Sequence, residues 1–105
     1  MQKIYDITDK FEQELARYTG AKFAIALDNM SNALFLSLVY ENINGKEITI
    51  PARTYPSVPC EIIHAGGKVR FEPVTGTTLK GAYQLKGSNV WDSALRFTSG
   101  MYIEG

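Results

Sequence analysis

Three short polar features of the sequence have the chemistry to bind a ligand. The first is a turn at 28–32, DNMSN, where Ser31 and Asn32 offer a hydroxyl, an amide and backbone N–H groups. The first-turn N–H groups of a helix have no partner inside it and its dipole is positive there, so this turn favours an anion such as phosphate. The second is Tyr55, an aromatic ring able to cover the face of a flat ligand. The third is Asp92, a carboxylate able to hold a protonated ring nitrogen as an ion pair.

Each feature also has an interpretation that needs no ligand. Ser31 is a common helix N-cap residue, Tyr55 can be an ordinary packing ring, and Asp92 can cap the segment that follows it. Together, however, a phosphate cradle, a ring cover and a carboxylate describe a pocket for pyridoxal phosphate. That cofactor acts as an electron sink, and the protein positions and tunes it.

The elements that position these residues follow from local signals. A first helix begins at a cap, Thr8 or Asp9, and runs to about Tyr18, where Gly20 ends it. Strand-length apolar runs and turn residues predict the rest. The further predicted elements are a strand at 23–27, a helix capped by Ser31 and ending near Asn42, a strand at 47–51, a helix that has Pro56 as its first residue and runs to about His64, a strand at 68–72, a polar loop at 75–81 and short strands at 83–86 and 88–92.

Strands that alternate with helices indicate βαβ units, and therefore an α/β domain with a mostly parallel sheet. Ligands of such sheets bind beyond the carboxyl ends of the strands. The turn at 28–32, residues 51–57 and Asp92 with Ser93 each follow a predicted strand. We therefore expect the three features to converge on one site.

Length and charge narrow the range of functions. A chain of 105 residues suffices for one domain, 1–105, and a formal net charge of +0 argues against a general nucleic-acid or membrane-surface role. No apolar run reaches the roughly 18 residues of a membrane span, and the N-terminus has no signal-peptide pattern. The single cysteine, Cys60, fits either a reducing compartment or a small buried apolar residue, and the cytoplasm is the expected location. With one histidine and one cysteine, no metal site is expected.

Three stretches carry a family resemblance: FEQELARYTGAKFAIALDNMSNALFLSL, EITIPARTYPSVPCEIIHAGGKVRFEPV and NVWDSALRFTSG. In this order they resemble the N-terminal part of the DegT/DnrJ-type aminotransferases, the sugar aminotransferase branch of the fold-type I pyridoxal phosphate enzymes. The middle stretch is the most specific, with a strand ending in proline, a Thr-aromatic pair, a helix and a glycine turn into a strand. The resemblance implies a partial three-layer sandwich, the truncated large domain of a pyridoxal phosphate-dependent transferase fold.

The resemblance also implies a cofactor role for each candidate residue. Ser31 and Asn32, with Met30 before them, match the turn that holds the cofactor phosphate. Tyr55 matches the aromatic residue that stacks on the pyridine ring. Asp92 matches the aspartate that pairs with the pyridinium nitrogen and keeps it protonated.

Three departures from the family pattern bear on function. Glycine is usual where this chain has Met30, and a His or Gln is frequent where it has Leu95. The catalytic lysine of the family, which forms the Schiff base and later carries the proton, lies further along than Gly105. None of the seven lysines matches its position: Lys3, Lys10, Lys22, Lys46, Lys68, Lys80 and Lys86. We therefore expect no catalytic residue in this sequence, and a truncated chain that is inactive alone.

The activity that the resemblance implies is transfer of an amino group, typically from glutamate, to a keto-sugar or similar carbonyl, as in nucleotide-sugar chemistry. Its partners are a small-molecule amino donor, a keto acceptor and a second copy of the chain in a homo-oligomer, with the pocket built across a dimer interface. No nucleic acid and no membrane are expected. The alternatives are a non-catalytic α/β binding or interaction module, a remnant that pairs with another chain, and an unrelated nucleotide-binding domain, for which no GxGxxG or Walker sequence is present.

Overall fold

The computed structural model describes residues 6–74 and 81–104. These residues form α1 (Asp6–Thr19), α2 (Met30–Tyr40), β1 (Glu47–Pro51), α3 (Ser57–His64), β2 (Lys68–Glu72), β3 (Tyr83–Gln84), β4 (Trp91–Asp92) and α4 (Met101–Glu104). They divide into two compact units, one of Met1–Leu27 with Phe97–Gly105 and one of Asp28–Arg96. Lys3, Lys80 and positions 75–80 of the predicted polar loop lie outside the described residues.

The first unit is built on α1, which begins at Asp6 and not at the predicted cap, Thr8 or Asp9. The first turn therefore contains two carboxylates, Asp6 and Asp9, where the positive end of the helix dipole favours them. Gly20 ends the helix with φ +84°, as predicted, because a left-handed residue after the last turn suits glycine.

The C-terminal segment of the chain contacts the end of α1 within this unit. The rings of Tyr18 and Phe97 stack with their centroids 5.0 Å apart. The N–H of Gly100 donates to the carbonyl oxygen of Tyr18 at 2.8 Å, and α4 follows directly. The aromatic pair and the backbone hydrogen bond together hold α4 against α1.

The apolar run at 23–27 forms no strand in this part of the chain, so the strand predicted there is wrong. A strand needs a neighbour for its backbone hydrogen bonds. Here the N–H of Ala26 donates instead to the carboxylate of Glu12 at 2.6 Å. Phe23 and Ile25 are 83% and 81% exposed, so the run is apolar without being buried.

The second unit is organised around a parallel βαβ arrangement of β1, α3 and β2. The two strands pair in register from Glu47 with Lys68 to Pro51 with Glu72. Pro56, predicted as the first helical residue, is the N-cap of α3 instead. At the other end, the N–H groups of Gly66 and Gly67 close the last turn of α3 at 2.9 Å each. The expected α/β class with parallel strand pairing is confirmed.

The core of this unit lies between β1, α2, α3 and the hairpin that β3 and β4 form. Alternation along β1 places Ile48 and Ile50 in the core, and both are fully buried. The whole cluster of buried side chains is Leu34, Leu38, Ile43, Ile48, Ile50, Val58, Ile62 and Leu85. Burying each Leu or Ile side chain contributes about 1.5–3 kcal/mol, so this cluster is what holds α2, α3 and the hairpin on the sheet.

Strands β3 and β4 form a short antiparallel hairpin, with Tyr83 opposite Asp92 and Gln84 opposite Trp91. Both strands are shorter than predicted, because residues 86–89 form the turn that the N–H of Leu85 closes onto the carbonyl oxygen of Val90 at 2.9 Å. The segment also joins β1, since the backbones of Thr49 and Lys86 exchange two hydrogen bonds of 2.9 and 3.0 Å.

Candidate functional site

The directions of the strands bring the end of β4 to the end of β1. The bridge between Thr49 and Lys86 is antiparallel, and β4 is antiparallel to β3. Strand β4 therefore points the same way as β1. Asp92, the last residue of β4, lies at the edge where β1 ends and the chain turns towards Tyr55.

Asp92 is a buried carboxylate with a donor on each oxygen. Only 7% of the residue is exposed. The hydroxyl of Tyr83 donates to Oδ2 at 3.1 Å, and the N–H of Ala94 donates to Oδ1 at 3.0 Å. Two donors on two different oxygens fix the plane of the carboxylate, and each oxygen keeps a further lone pair for another partner.

Tyr83 connects this carboxylate to the segment after β1. The oxygens of Tyr83 and Thr54 lie 2.6 Å apart. A phenol has a single proton, so when Tyr83 donates to Asp92, the hydroxyl of Thr54 is the donor to Tyr83. Burial, together with the nearby charge of Asp92, raises the pKa of Tyr83 to about 12, although the hydrogen bond from Thr54 acts in the opposite direction. The phenol is therefore a hydrogen-bond donor at neutral pH.

Tyr55 follows Thr54 at the corner that leads into α3. Its side chain is 73% exposed, so its ring is available to an incoming molecule. Its carbonyl oxygen accepts from the N–H of Val58 at 3.0 Å, which fixes the backbone of the corner. Since Thr54 is bonded to Tyr83, one short chain of hydrogen bonds links the corner that carries Tyr55 to Asp92.

The N-terminus of α2 differs from the prediction. The helix begins at Met30, and its cap is Asn29, whose side-chain oxygen accepts from the N–H of Asn32 at 2.8 Å. Ser31 is thus a first-turn residue, and its prediction as the cap is wrong. The amide of Asn32 donates to Asp28 at 2.8 Å, so an acidic side chain lies where an anion is expected to bind.

The structure brings two of the three predicted features together. The corner at Thr54 and Tyr55 and the carboxylate of Asp92 are joined through Tyr83. In the α2 turn, the hydrogen bonds from Asn32 to the side chains of Asn29 and Asp28 stay within residues 28–32. At this corner the ring of Tyr55 is exposed, whereas Asp92 is buried.

Sequence reasoning missed Tyr83 as a member of this site. The sequence contains a signal for Tyr83: a hairpin that turns at Gly87 places Tyr83 opposite Asp92. Trp91 is half exposed, because it lies on the opposite side of β4 from Asp92.

Comparison with known proteins assigns the chain to a family. The profile of the DegT/DnrJ/EryC1/StrS aminotransferase family matches residues 1–82. The chain belongs to this family. The match includes the turn at 28–32 and Tyr55, and it ends before Tyr83 and Asp92, so an assignment of these two residues relies on their geometry.

Two curated relatives align with about two thirds of this aminotransferase-family chain. The spore coat polysaccharide biosynthesis protein SpsC of Bacillus subtilis is 37% identical over 71 residues, which are 67% of this chain and 18% of the relative. The uncharacterized protein MJ1066 of Methanocaldococcus jannaschii is 38% identical over 73 residues, 68% of this chain and 19% of the relative. The chain thus spans about a fifth of the length of these relatives. No solved structure matches it.

Within residues 6–74 and 81–104, no helix has the length and apolar character to cross a bilayer. Within the same ranges, no group of three or more His, Cys, Asp or Glu side chains is arranged to hold a metal ion.

Proposed function

We propose that this chain is the N-terminal, cofactor-binding part of a pyridoxal phosphate-dependent sugar aminotransferase. Membership of the aminotransferase family supports the reaction class. The name of the Bacillus relative, which refers to polysaccharide biosynthesis, supports a sugar acceptor. The observation that carries the proposal is the buried carboxylate of Asp92, held at the same corner as the exposed ring of Tyr55.

The ring end of the site fits the cofactor well. Asp92 keeps a lone pair on each oxygen for a pyridinium N–H, and its burial strengthens such an ion pair. Tyr55 presents a ring for stacking beside it. When bound, the cofactor supplies an electron sink, and the work of these two residues is to orient it and to keep its ring nitrogen charged.

We assign the phosphate of the cofactor to the first turn of α2, the turn that the family resemblance implies for this role. The cap Asn29 occupies the N–H of Asn32 and leaves those of Met30 and Ser31 without an acceptor inside the helix. These two N–H groups and the hydroxyl of Ser31 are the donors that we assign to phosphate. The carboxylate of Asp28 opposes the phosphate charge, so we expect this end to bind less strongly than a turn without that acid.

We propose glutamate as the amino donor, a keto-sugar such as a nucleotide-linked one as the acceptor, and a cytoplasmic homodimer as the working form. Because no lysine of this chain matches the family's catalytic position, we expect the 105-residue chain to bind cofactor without catalysing transfer.

A binding titration tests the proposal on the 105-residue chain itself. Pyridoxamine 5′-phosphate is the probe, because it binds without a covalent link to lysine, and its fluorescence reports occupancy. Asp92→Asn should weaken binding about tenfold, the factor that corresponds to about 1.4 kcal/mol. Asp9→Asn, an exposed acid of α1, is the matched control and should leave affinity unchanged. Equal affinity of the wild type and Asp92→Asn contradicts the assignment of Asp92.

One observation favours the non-catalytic alternative. At the N-terminus of α2, Asn29 already accepts from the N–H of Asn32, and the carboxylate of Asp28 accepts from the side-chain amide of Asn32. If the wild-type chain shows no saturable binding of the probe at millimolar concentration, the interaction module becomes the better assignment. Treatment with pyridoxal phosphate and borohydride is a second test, of whether a lysine of this chain forms a Schiff base. A single specifically modified lysine contradicts the expected inactivity.

A further inference from the structure

We propose that Tyr83 is the positioning residue of this site: its hydroxyl, backed by Thr54, fixes the carboxylate of Asp92 for pairing with a pyridine nitrogen. The inference builds on the proposed function, and no family match extends to Tyr83. Tyr83 lies behind Asp92 and acts through it, without contact to the cofactor.

The geometry around Asp92 supports this role directly. Rotation of the carboxylate about its Cβ–Cγ bond would break both the bond from Tyr83 at 3.1 Å and the bond from Ala94 at 3.0 Å. Without Tyr83, the N–H of Ala94 would remain as the donor to Asp92 among the described residues, and the carboxylate plane could turn about that contact. A pyridinium N–H needs a lone pair aimed at it, so a fixed plane favours the bound geometry before the ligand arrives.

Thr54 makes this positioning directional. Its hydroxyl lies 2.6 Å from the oxygen of Tyr83 and donates to it when the phenolic proton points to Asp92. Since the chain of donors runs from Thr54 to Tyr83 to Asp92, the two hydroxyl protons are both committed. Thr54 is also the neighbour of Tyr55 in the chain, so the backbone that carries the ring cover adjoins this chain of hydrogen bonds.

The backbone that carries Tyr83 is held firmly. Leu85, two residues along the same face of the hairpin, is fully buried in the core, and the ring of Tyr83 packs against that core. Lys86 is bonded to Thr49 of β1 in both directions. The hydroxyl is therefore preset, and burial keeps it protonated by raising the pKa of Tyr83 to about 12.

The test compares four variants of the 105-residue chain with pyridoxamine 5′-phosphate as the probe. The variants are Tyr83→Phe, Thr54→Val, Thr54→Ser and Tyr40→Phe. Tyr40 is 88% exposed, so its variant is a matched control that removes the same hydroxyl elsewhere. The measurements are the dissociation constant and the pH at which the absorbance of the bound probe shows loss of the ring-nitrogen proton, a value that general destabilisation would not move.

Tyr83→Phe should weaken binding about tenfold and lower the deprotonation midpoint of the bound ring. Thr54→Val should shift both quantities in the same direction by less, Thr54→Ser should restore them, and Tyr40→Phe should change neither. If Tyr83→Phe stays within twofold of the wild type while Asp92→Asn is weak, the inference is wrong and the proposed function stands. If the wild type does not bind, both are wrong. Loss of the native circular dichroism in both Tyr83→Phe and Thr54→Val would show a structural role and overturn the inference.

Discussion

Tyr83 and Asp92 face each other across the hairpin, and the phenolic hydroxyl of Tyr83 donates to Oδ2 of Asp92 at 3.1 Å. Directly opposed residues of an antiparallel pair project to the same face, so the register of β3 and β4 makes this contact possible. The contact gives a buried carboxylate a second donor beside the N–H of Ala94. It therefore matters both for the stability of the second unit and for the site.

Removal of this hydroxyl should destabilise the chain. Tyr83→Phe keeps the ring and deletes the donor, and hydrogen bonds to charged groups contribute about 1.5–3 kcal/mol. We expect the free energy of unfolding in urea to fall by about 2 kcal/mol. Tyr40→Phe should change it by less than about 0.5 kcal/mol. An equal effect of the two variants would mean that the bond between Tyr83 and Asp92 contributes nothing to stability.

Alkaline pH should lower the stability of the chain through deprotonation of Tyr83. The folded chain raises the pKa of Tyr83 to about 12, whereas an unfolded tyrosine titrates near 10. Because the unfolded state loses its proton first, the contribution of Tyr83 to stability is complete below pH 10 and is lost as pH rises through 12. The difference between the phenolate absorbance curves of wild type and Tyr83→Phe should have its midpoint near pH 12. A midpoint at pH 10 would contradict the burial of this hydroxyl.

The βαβ part of the fold could be predicted from sequence because each of its boundaries has a local signal. Pro51 ends β1, Pro56 marks the start of α3, and Gly66 with Gly67 closes it. The N-cap of α2 is harder to predict, because Asn29 and Ser31 are both good N-cap residues two positions apart. The choice depends on the extended backbone of Asn29, with φ −159° and ψ 167°, which composition does not reveal.

The contacts of the site depend on pairs that are distant in the chain. Thr54 and Tyr83 are separated by 29 residues, and no pattern within either segment points to the other. The strand expected at 23–27 failed for a related reason, since its formation depends on a neighbouring strand and not on its own apolar residues. Local signals thus predict elements, whereas side-chain partners require the register of the hairpin.

Truncation to alanine should cost far more stability at one of two adjacent isoleucines of α3 than at the other. Ile62 is fully buried, whereas Ile63 is 61% exposed. Ile62→Ala should lower the free energy of unfolding by about 2–5 kcal/mol, because it leaves a cavity between α3 and β1. Ile63→Ala makes the same chemical change and should cost less than about 1 kcal/mol. Similar losses in urea denaturation would mean that α3 presents a different face to the sheet.

A side chain at Gly87 should loosen the hairpin. Gly87 has φ +105°, and an added Cβ would lie 2.7 Å from the carbonyl oxygen of Glu47. Gly87→Ala should therefore destabilise the chain by about 1–3 kcal/mol. Gly45 also has a positive φ, +79°, but open space around it, so Gly45→Ala separates the cost of the backbone angle from that of the clash. Gly87→Ala should be the more destabilising of the two in urea, and the reverse order would contradict the close approach of the hairpin to β1.

The N-terminus of α2 can be tested with two single substitutions. Asn29→Ala removes the side chain that accepts from the N–H of Asn32, and loss of such a cap costs about 1 kcal/mol. Ser31→Ala alters a first-turn hydroxyl and should change the free energy of unfolding by less than about 0.5 kcal/mol. If Ser31→Ala is the more damaging, the cap assignment fails. Asn29→Ala also releases a third N–H to a ligand, so it should tighten binding of inorganic phosphate, whereas Ser31→Ala should weaken it because a donor is lost.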